Sequence, residues 1–250
     1  MRVYLDHNAT TPLRVEARDA MLAAMDVIGN PSSVHAEGRA AKGIVETARA
    51  QVAAAVGASN ADVVFTSGAT EAAALALAGR NFHAAQIEHD AVHAWVNPVL
   101  DVVEGAVQVT DPARTVLQLA NSETGILQNL PQGLAVSDIT QAFGKVPFAF
   151  SWSGIGMVFL SAHKFGGPKG VGALVFPQGT DIAAQIKGGG QEMGRRSGTE
   201  NVTAIAGMGA AAAAAQADLA AGKWDRVAKL RNILETAMEA AEQSTIFVGN

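Results

Sequence analysis

An apolar stretch, Met157-Val158-Phe159-Leu160, runs into Ser161-Ala162-His163-Lys164-Phe165-Gly166-Gly167-Pro168-Lys169-Gly170 and so delivers a lysine into a bend too rich in glycine and proline to continue as strand or helix. A lysine held at a strand end is a candidate nucleophile. If its surroundings lower its pKa, the free amine can form a Schiff base with a carbonyl; otherwise it is a solvated loop lysine. Asp138 and Gln141 follow a second apolar run, Leu134-Ala135-Val136, so both can project from a strand end into the same crevice. A carboxylate there can keep a pyridinium nitrogen protonated, so that the ring accepts electrons from a substrate carbanion, while Gln141 hydrogen-bonds a ring hydroxyl. That is the chemistry of pyridoxal phosphate. Asp138 reads equally as the N-cap of a short following helix, and the two roles are compatible.

Three further constellations carry polar chemistry. Ser67-Gly68-Ala69-Thr70 puts backbone N–H groups and two hydroxyls at a predicted helix start, where peptide dipoles favour an anion; Ser/Thr/Gly turns also cap helices that bind nothing. His89-Asp90-Ala91-Val92-His93 spaces two histidines as a metal-binding helix does, but Asp stands where a catalytic Glu is needed and no third ligand is marked. Stacking of His89 on an aromatic cofactor is the better use, with His93 structural and no metal expected. Gly188-Gly189-Gly190-Gln191-Glu192-Met193-Gly194-Arg195-Arg196-Ser197-Gly198-Thr199 reads as a flexible loop whose paired cations can close over an anion, or as plain surface.

The elements that must position these residues are legible as changes of period. Val15, Leu22, Met25 and Ile28 mark a helix starting near Thr11-Pro12 and stopping at Gly29-Asn30-Pro31; Val45, Ala48, Val52 and Val56 mark a second, closing at Gly57. Val63-Val64-Phe65, the Ser67–Thr70 turn and Glu71–Leu77 give strand, turn and helix. Short apolar runs at 116–119, 134–136, 157–160 and 171–176 suit buried, mostly parallel strands with loops at their ends. After Gly207 the chain is alanine-rich and helical, with an amphipathic stripe of Val227, Leu230, Leu234, Ala237 and Ala241, and Thr245-Ile246-Phe247-Val248 begins another strand.

Composition narrows the class. A chain of 250 residues can bury roughly 70% of its unfolded surface. A net charge of −5, with no basic run longer than Arg195-Arg196, points to a small-molecule ligand rather than nucleic acid or an anionic membrane. The first residues lack a signal-peptide core, and no stretch reads as the ~20 apolar residues that span a bilayer, so a cytoplasmic protein is expected. The absence of cysteine excludes disulfides, cysteine-ligated zinc and a cysteine nucleophile within the chain.

Taken in order, Leu5-Asp6-His7-Asn8-Ala9-Thr10-Thr11-Pro12, Gly29-Asn30-Pro31-Ser32-Ser33-Val34-His35, FTSGATE at 65–71, EHDAV at 88–92, NSETG at 121–125, DITQ at 138–141, SAHKFGGPKG and GGGQEMGRRSGTEN resemble the cysteine desulfurases, the class V branch of fold-type I pyridoxal phosphate enzymes. The resemblance implies a fold-type I α/β enzyme with a mostly parallel sheet between helices. Its cofactor is pyridoxal 5'-phosphate, and Lys164 is the Schiff-base lysine and proton shuttle. It further implies that His89 stacks on the ring, Asp138 pairs with its nitrogen and Gln141 contacts its hydroxyl. Ala69, Thr70, Ser161 and His163 hold the phosphate, with Thr199 reaching in from the partner of an obligate homodimer. In the family, cysteine condenses with the cofactor, a mobile loop cysteine attacks its sulfur, and alanine leaves. The persulfide then passes sulfur to an acceptor protein for iron–sulfur cluster assembly.

The chain departs from the family in places. Asn121-Ser122-Glu123 stands where Asn-Asn-Glu is typical, so contact with cofactor or substrate falls to Asn121 or to Ser122. The spacings between Thr70, His89, Asn121 and Asp138 are short. The sulfur-accepting cysteine and the arginine for the substrate carboxylate belong to the family's C-terminal part and have no counterpart here. A large cofactor-binding domain over 12–219 is expected, with 1–11 and 220–250 as a partial small α/β domain in which the chain ends. The alternatives are an aminotransferase or lyase acting on another amino acid, and a catalytically silent scaffold subunit.

Overall fold

The computed structural model describes residues 2–242 and 244. The chain opens with helices α1 (Val15–Met25) and α2 (Ala36–Ala55), then strand β1 (Ala61–Thr66) and helix α3 (Ala69–Leu77). Next come β2 (His83–Ala85), the one-turn α4 (Asp90–His93), β3 (Asn97–Leu100) and the hairpin β4 (Val102–Val103) and β5 (Ala106–Val107), which turns through Glu104 and Gly105 at positive φ. Strands β6 (Val116–Gln118) and β7 (Val136–Asp138), the short α5 (Phe150–Ser153), β8 (Met157–Ser161) and β9 (Gly172–Pro177) follow, then α6 (Val202–Ala220) and α7 (Lys223–Ala241).

The central sheet has the order β1-β9-β8-β7-β6. Strands β6, β7 and β8 are parallel, and a parallel bridge from His83 to Thr115 sets the β2–β3 pair alongside β6. Only β9 runs the other way, antiparallel to both β8 and β1. The sheet is therefore mostly parallel, as its uninterrupted apolar runs predict, because both faces are covered. Val158 and Leu160 of β8 join Val63 and Phe65 in the layer formed with α2 and α6. Phe159 of β8 joins Val64, Leu174 and Phe176 in the layer formed with α3 and α4. That alternation is the period of two expected of a strand with two dry faces.

Helix α2 presents Ala41, Val45, Ala48 and Val52 to α6, and its first turn is capped by His35, whose ring accepts from Gly38 N. Helix α6 differs from the sequence expectation. By length and composition Val202–Ala220 is long and apolar enough to cross a bilayer, but about half of it is buried inside the domain. Its small residues allow the close approach: a Cβ at Gly209 would lie 2.6 Å from Ala48 Cα.

Three other details differ. Helix α1 starts at Val15 rather than at Pro12, because residues 11–14 stay extended and pair with the lysine loop through Thr11 N to His163 O and Arg14 N to Gly166 O, each 2.9 Å. The run 134–136 forms a strand displaced to Val136–Asp138, so Asp138 ends the strand itself. The stripe on α7 is helical as read but solvent-facing, with Leu230 56% and Leu234 59% exposed. The strand expected at 245–248 lies outside the described residues.

Candidate active site

Sheet topology brings the sequence candidates together. Parallel β6, β7 and β8 finish on one edge, where Gln118, Asp138 and Ser161 are their last residues and Gln118 pairs in register with Asp138. Reversal of β9 places its first residue, Gly172, on the same edge, opposite Ser161 on one side and Thr66 on the other. The Ser67–Thr70 turn that leaves β1 therefore meets the Ser161–Lys164 turn that leaves β8. Gly172 is required at this junction, since a Cβ there would lie 2.6 Å from Gly68 C and 2.7 Å from Leu160 O. Such a crevice at the carboxyl ends of strands is where open α/β sheets bind ligands.

The crevice is a cavity of about 460 Å³. One wall is the start of α3, with Ser67, Gly68, Ala69 and Thr70; no side chain caps this helix, so its first-turn N–H groups are left for a ligand. Ser161 and His163 face it from the β8 turn, and His163 Nδ1 lies 3.2 Å from Thr10 Oγ1. Burial, reinforced by Lys164 and Lys169, holds His163 below the usual histidine range.

Lys164 sits in a single 3₁₀ turn, Ala162–Lys164, half-buried, and its Nζ donates to Asn8 O at 2.5 Å. Burial lowers its pKa, opposed by the carboxylates of Asp138, Asp6 and Glu123. Asp138 Oδ1 accepts from Thr140 N at 2.8 Å, so the N-cap-like turn and the cavity-facing carboxylate coexist. Burial raises Asp138 above the usual carboxylate range, against the pull of Thr140, His89 and Lys164. His89 lines the cavity as the N-cap of α4, its Nδ1 accepting from Ala91 N at 3.0 Å; His93 lies outside the lining. Gln141 and Ser122 complete the wall.

Two sequence candidates lie elsewhere. Asn121 is buried behind the wall, where Oδ1 accepts from Glu123 N, Thr124 N and Thr124 Oγ1 and Nδ2 donates to Ile87 O. It shapes the loop, and Ser122 is the residue that reaches the cavity. Thr199 lines a separate cavity beside Arg196 and Glu200. The paired cations of the glycine-rich loop are not free for an anion: Arg195 pairs with Asp62 at 2.7 Å and Arg196 with Glu71 at 2.8 Å.

Sequence reasoning missed four residues: Asn8, whose carbonyl holds Lys164; Gln118, in the cavity floor; Glu88 beneath it; and Lys145 behind Gln141. The motif EHDAV carried Glu88 in plain view. Nothing local says that it turns inward, because that depends on a bond to a strand thirty residues away.

A depressed amine, a carboxylate with one oxygen left without a protein partner among the described residues, a flat imidazole and an uncapped helix start fit an aromatic aldehyde bearing a phosphate. Fold and site together define a fold-type I pyridoxal phosphate enzyme. The class-V aminotransferase family model matches residues 3–98 and 110–250, and the chain belongs to that family, which depends on pyridoxal phosphate. It is 37% identical to a cysteine desulfurase of Frankia sp. over 87% of this chain and 63% of that protein, and 36% identical to the cysteine desulfurase IscS of Dictyoglomus turgidum over 84% and 62%. Superposed on the NifS-like protein of Rickettsia africae, it reaches a TM-score of 0.89 at 30% identity, covering 100% of this chain and 78% of the other. The chain thus spans less than two thirds of the length of these two curated relatives.

Proposed function

We propose that this protein carries the cofactor half of a cysteine desulfurase, in which L-cysteine yields alanine and its sulfur passes to a thiol as a persulfide. The observation that carries this reading is the convergence of Lys164, Asp138 and His89 on one cavity with the start of α3. Its relatives named as cysteine desulfurases support the substrate. The 250 residues hold no cysteine, so the accepting thiol lies outside them, in a continuation of the same protein or in another molecule. The balance is L-cysteine plus R–SH giving L-alanine plus R–S–SH.

Bound here, pyridoxal phosphate supplies an aldehyde that condenses with amines and a ring that withdraws electrons from the substrate Cα. The chain's residues supply the rest. First-turn N–H groups of α3, Thr70, Ser161 and His163 bind the phosphate. His89 would pack against the ring, and Gln141 would hold it through its hydroxyl. Asp138 holds a proton at the ring nitrogen. Lys164 Nζ, favoured in its neutral form by burial, takes and returns the proton at Cα. Ser122 lines the same cavity and is available to the substrate.

The same reading makes the protein a cytoplasmic homodimer in which Thr199 contributes to the partner's phosphate site. Its absence from the lining of the chain's own cavity supports that arrangement. The exposed stripe of α7 supports assigning residues 220–250, with 1–11, to a second small unit.

Purified protein incubated with pyridoxal phosphate should acquire a visible absorbance that borohydride bleaches, with the reduced adduct mapped to Lys164 by mass spectrometry. Lys164→Ala should stay colourless. With a small external thiol, alanine should form from L-cysteine faster than keto acids form from other amino acids. An adduct on Lys164 without alanine would favour an aminotransferase or lyase if keto acids form, and a silent scaffold if none do. No adduct on Lys164 would overturn the cofactor assignment.

A further inference from the structure

Behind the cavity wall lies a second amine that the chemistry above does not use. Lys145 follows the turn after β7, and its Nζ donates to Gln141 Oε1 at 3.2 Å. Gln141 Nε2 donates to Asn8 O at 3.0 Å, and Lys164 Nζ donates to that same carbonyl at 2.5 Å. One backbone oxygen thus gathers two site residues, and Lys145 anchors the outer one. An ammonium has donors only, so it can pair with a carboxamide solely through oxygen; this forces the N–H₂ end of Gln141 toward Asn8.

Lys145 and Lys164 also share a smaller cavity of about 220 Å³, lined as well by His7, Arg14 and Trp224. Two ammonium groups on one small, partly dry cavity disfavour each other's charge. The other charged groups are distributed unevenly. Asp138 from β7, Asp6 from the N-terminal segment and Glu123 from the loop after β6 face Lys164, whereas His7 and Arg14, the latter paired with Asp218 at 2.6 Å, line the smaller cavity with both lysines.

Resting on the cofactor reading above, we propose that Lys145 is a positioning residue of this site: it sets the orientation of the Gln141 amide, and its positive charge beside Lys164 opposes a second cation there. Burial and the charge of Lys164 bring Lys145 itself down to about 8. At neutral pH it therefore remains mostly charged and able to act in this way. The coupling is reciprocal, so each amine reports on the other.

The test uses the cofactor-free protein, so it does not depend on turnover. Trace labelling of amines with acetic anhydride across pH 6–11, read peptide by peptide by mass spectrometry, gives a titration curve for each lysine. In Lys145→Met the Lys164 midpoint should rise by about one unit, which slows its labelling about tenfold at pH 8. Lys145→Arg, which keeps charge and donors, should restore the wild-type curve. Lys164→Met should raise the Lys145 midpoint from about 8 by the same increment, which keeps the test available if Lys145→Met folds poorly. Unchanged curves in both methionine variants would overturn the proposal. Failure of the borohydride mapping would instead count against the cofactor assignment and leave these titrations readable.

Discussion

Glu88 and Asp138 are two carboxyl groups joined through one strand: Glu88 Oε1 accepts from Gln118 N at 3.0 Å, and Gln118 pairs in register with Asp138. Asp138 faces the cavity, with Lys164 and the His89 ring close by. Glu88 lies beneath, 6% exposed, with Oε2 buried and without a hydrogen-bond partner among the described residues. Only one of the two is suited to carry charge, and the environment selects Asp138.

Glu88 therefore opposes stability as pH rises. Burial first, then Asp138, raises it from 4.5 to about 8, so the folded state holds a proton that the unfolded chain releases above pH 4.5. Stability from this group is present below pH 4.5 and is lost progressively up to about pH 8. Glu88→Gln keeps the shape and one hydrogen-bond acceptor without ionising. It should match wild type near pH 4.5 and exceed it at pH 8 by on the order of 4 kcal/mol, given about 1.4 kcal/mol per pKa unit between 4.5 and about 8. Urea unfolding at the two pH values checks this, and equal pH slopes for the two proteins would refute it.

Gly172 carries the junction between the two turns of the site. Gly172→Ala drives a methyl into the backbone of Gly68 and Leu160 and should cost about 1–3 kcal/mol, as overpacking does. Because the displaced element is the phosphate wall, affinity for pyridoxal phosphate should fall at least tenfold while the helical circular dichroism persists. Thermal melts and equilibrium cofactor titration measure the two effects separately.

Glu192 fastens the glycine-rich loop to the domain. Its side chain, 2% exposed, pairs with Arg49 at 2.8 Å and accepts from Phe65 N at 3.1 Å, while Arg49 also stacks on the Phe65 ring and donates to Val63 O. Glu192→Gln removes the buried charge partner of the partly buried Arg49 guanidinium, a loss of about 3 kcal/mol. The lower end of the usual range applies because Glu46 still faces Arg49 at 3.3 Å. Arg49→Met together with Glu192→Gln should recover part of that loss, and a double-mutant cycle by urea unfolding reads the coupling.

Local pattern located α2, α3, α6, α7 and the strands β1, β6, β8 and β9, because apolar spacing, turn residues and helix-forming composition all act within one segment. The bend after β8 likewise marked Lys164, since glycine and proline act through local dihedrals. Antiparallel β9 is different: an apolar run buried on both faces reads the same in either direction, and only pairing with β1 and β8 sets its sense. Asn121 and Ser122 are neighbours in sequence, yet one turns into the protein and the other into the cavity, as Asn121's bonds to Ile87, Glu123 and Thr124 dictate. Glu88, Lys145 and the carbonyl of Asn8 matter through partners that lie far along the chain or behind a site residue. Residue types and their local order thus specified the chemistry available to this protein. Which groups share a dielectric, a hydrogen bond or a proton was settled by packing, because those couplings act across space rather than along the chain.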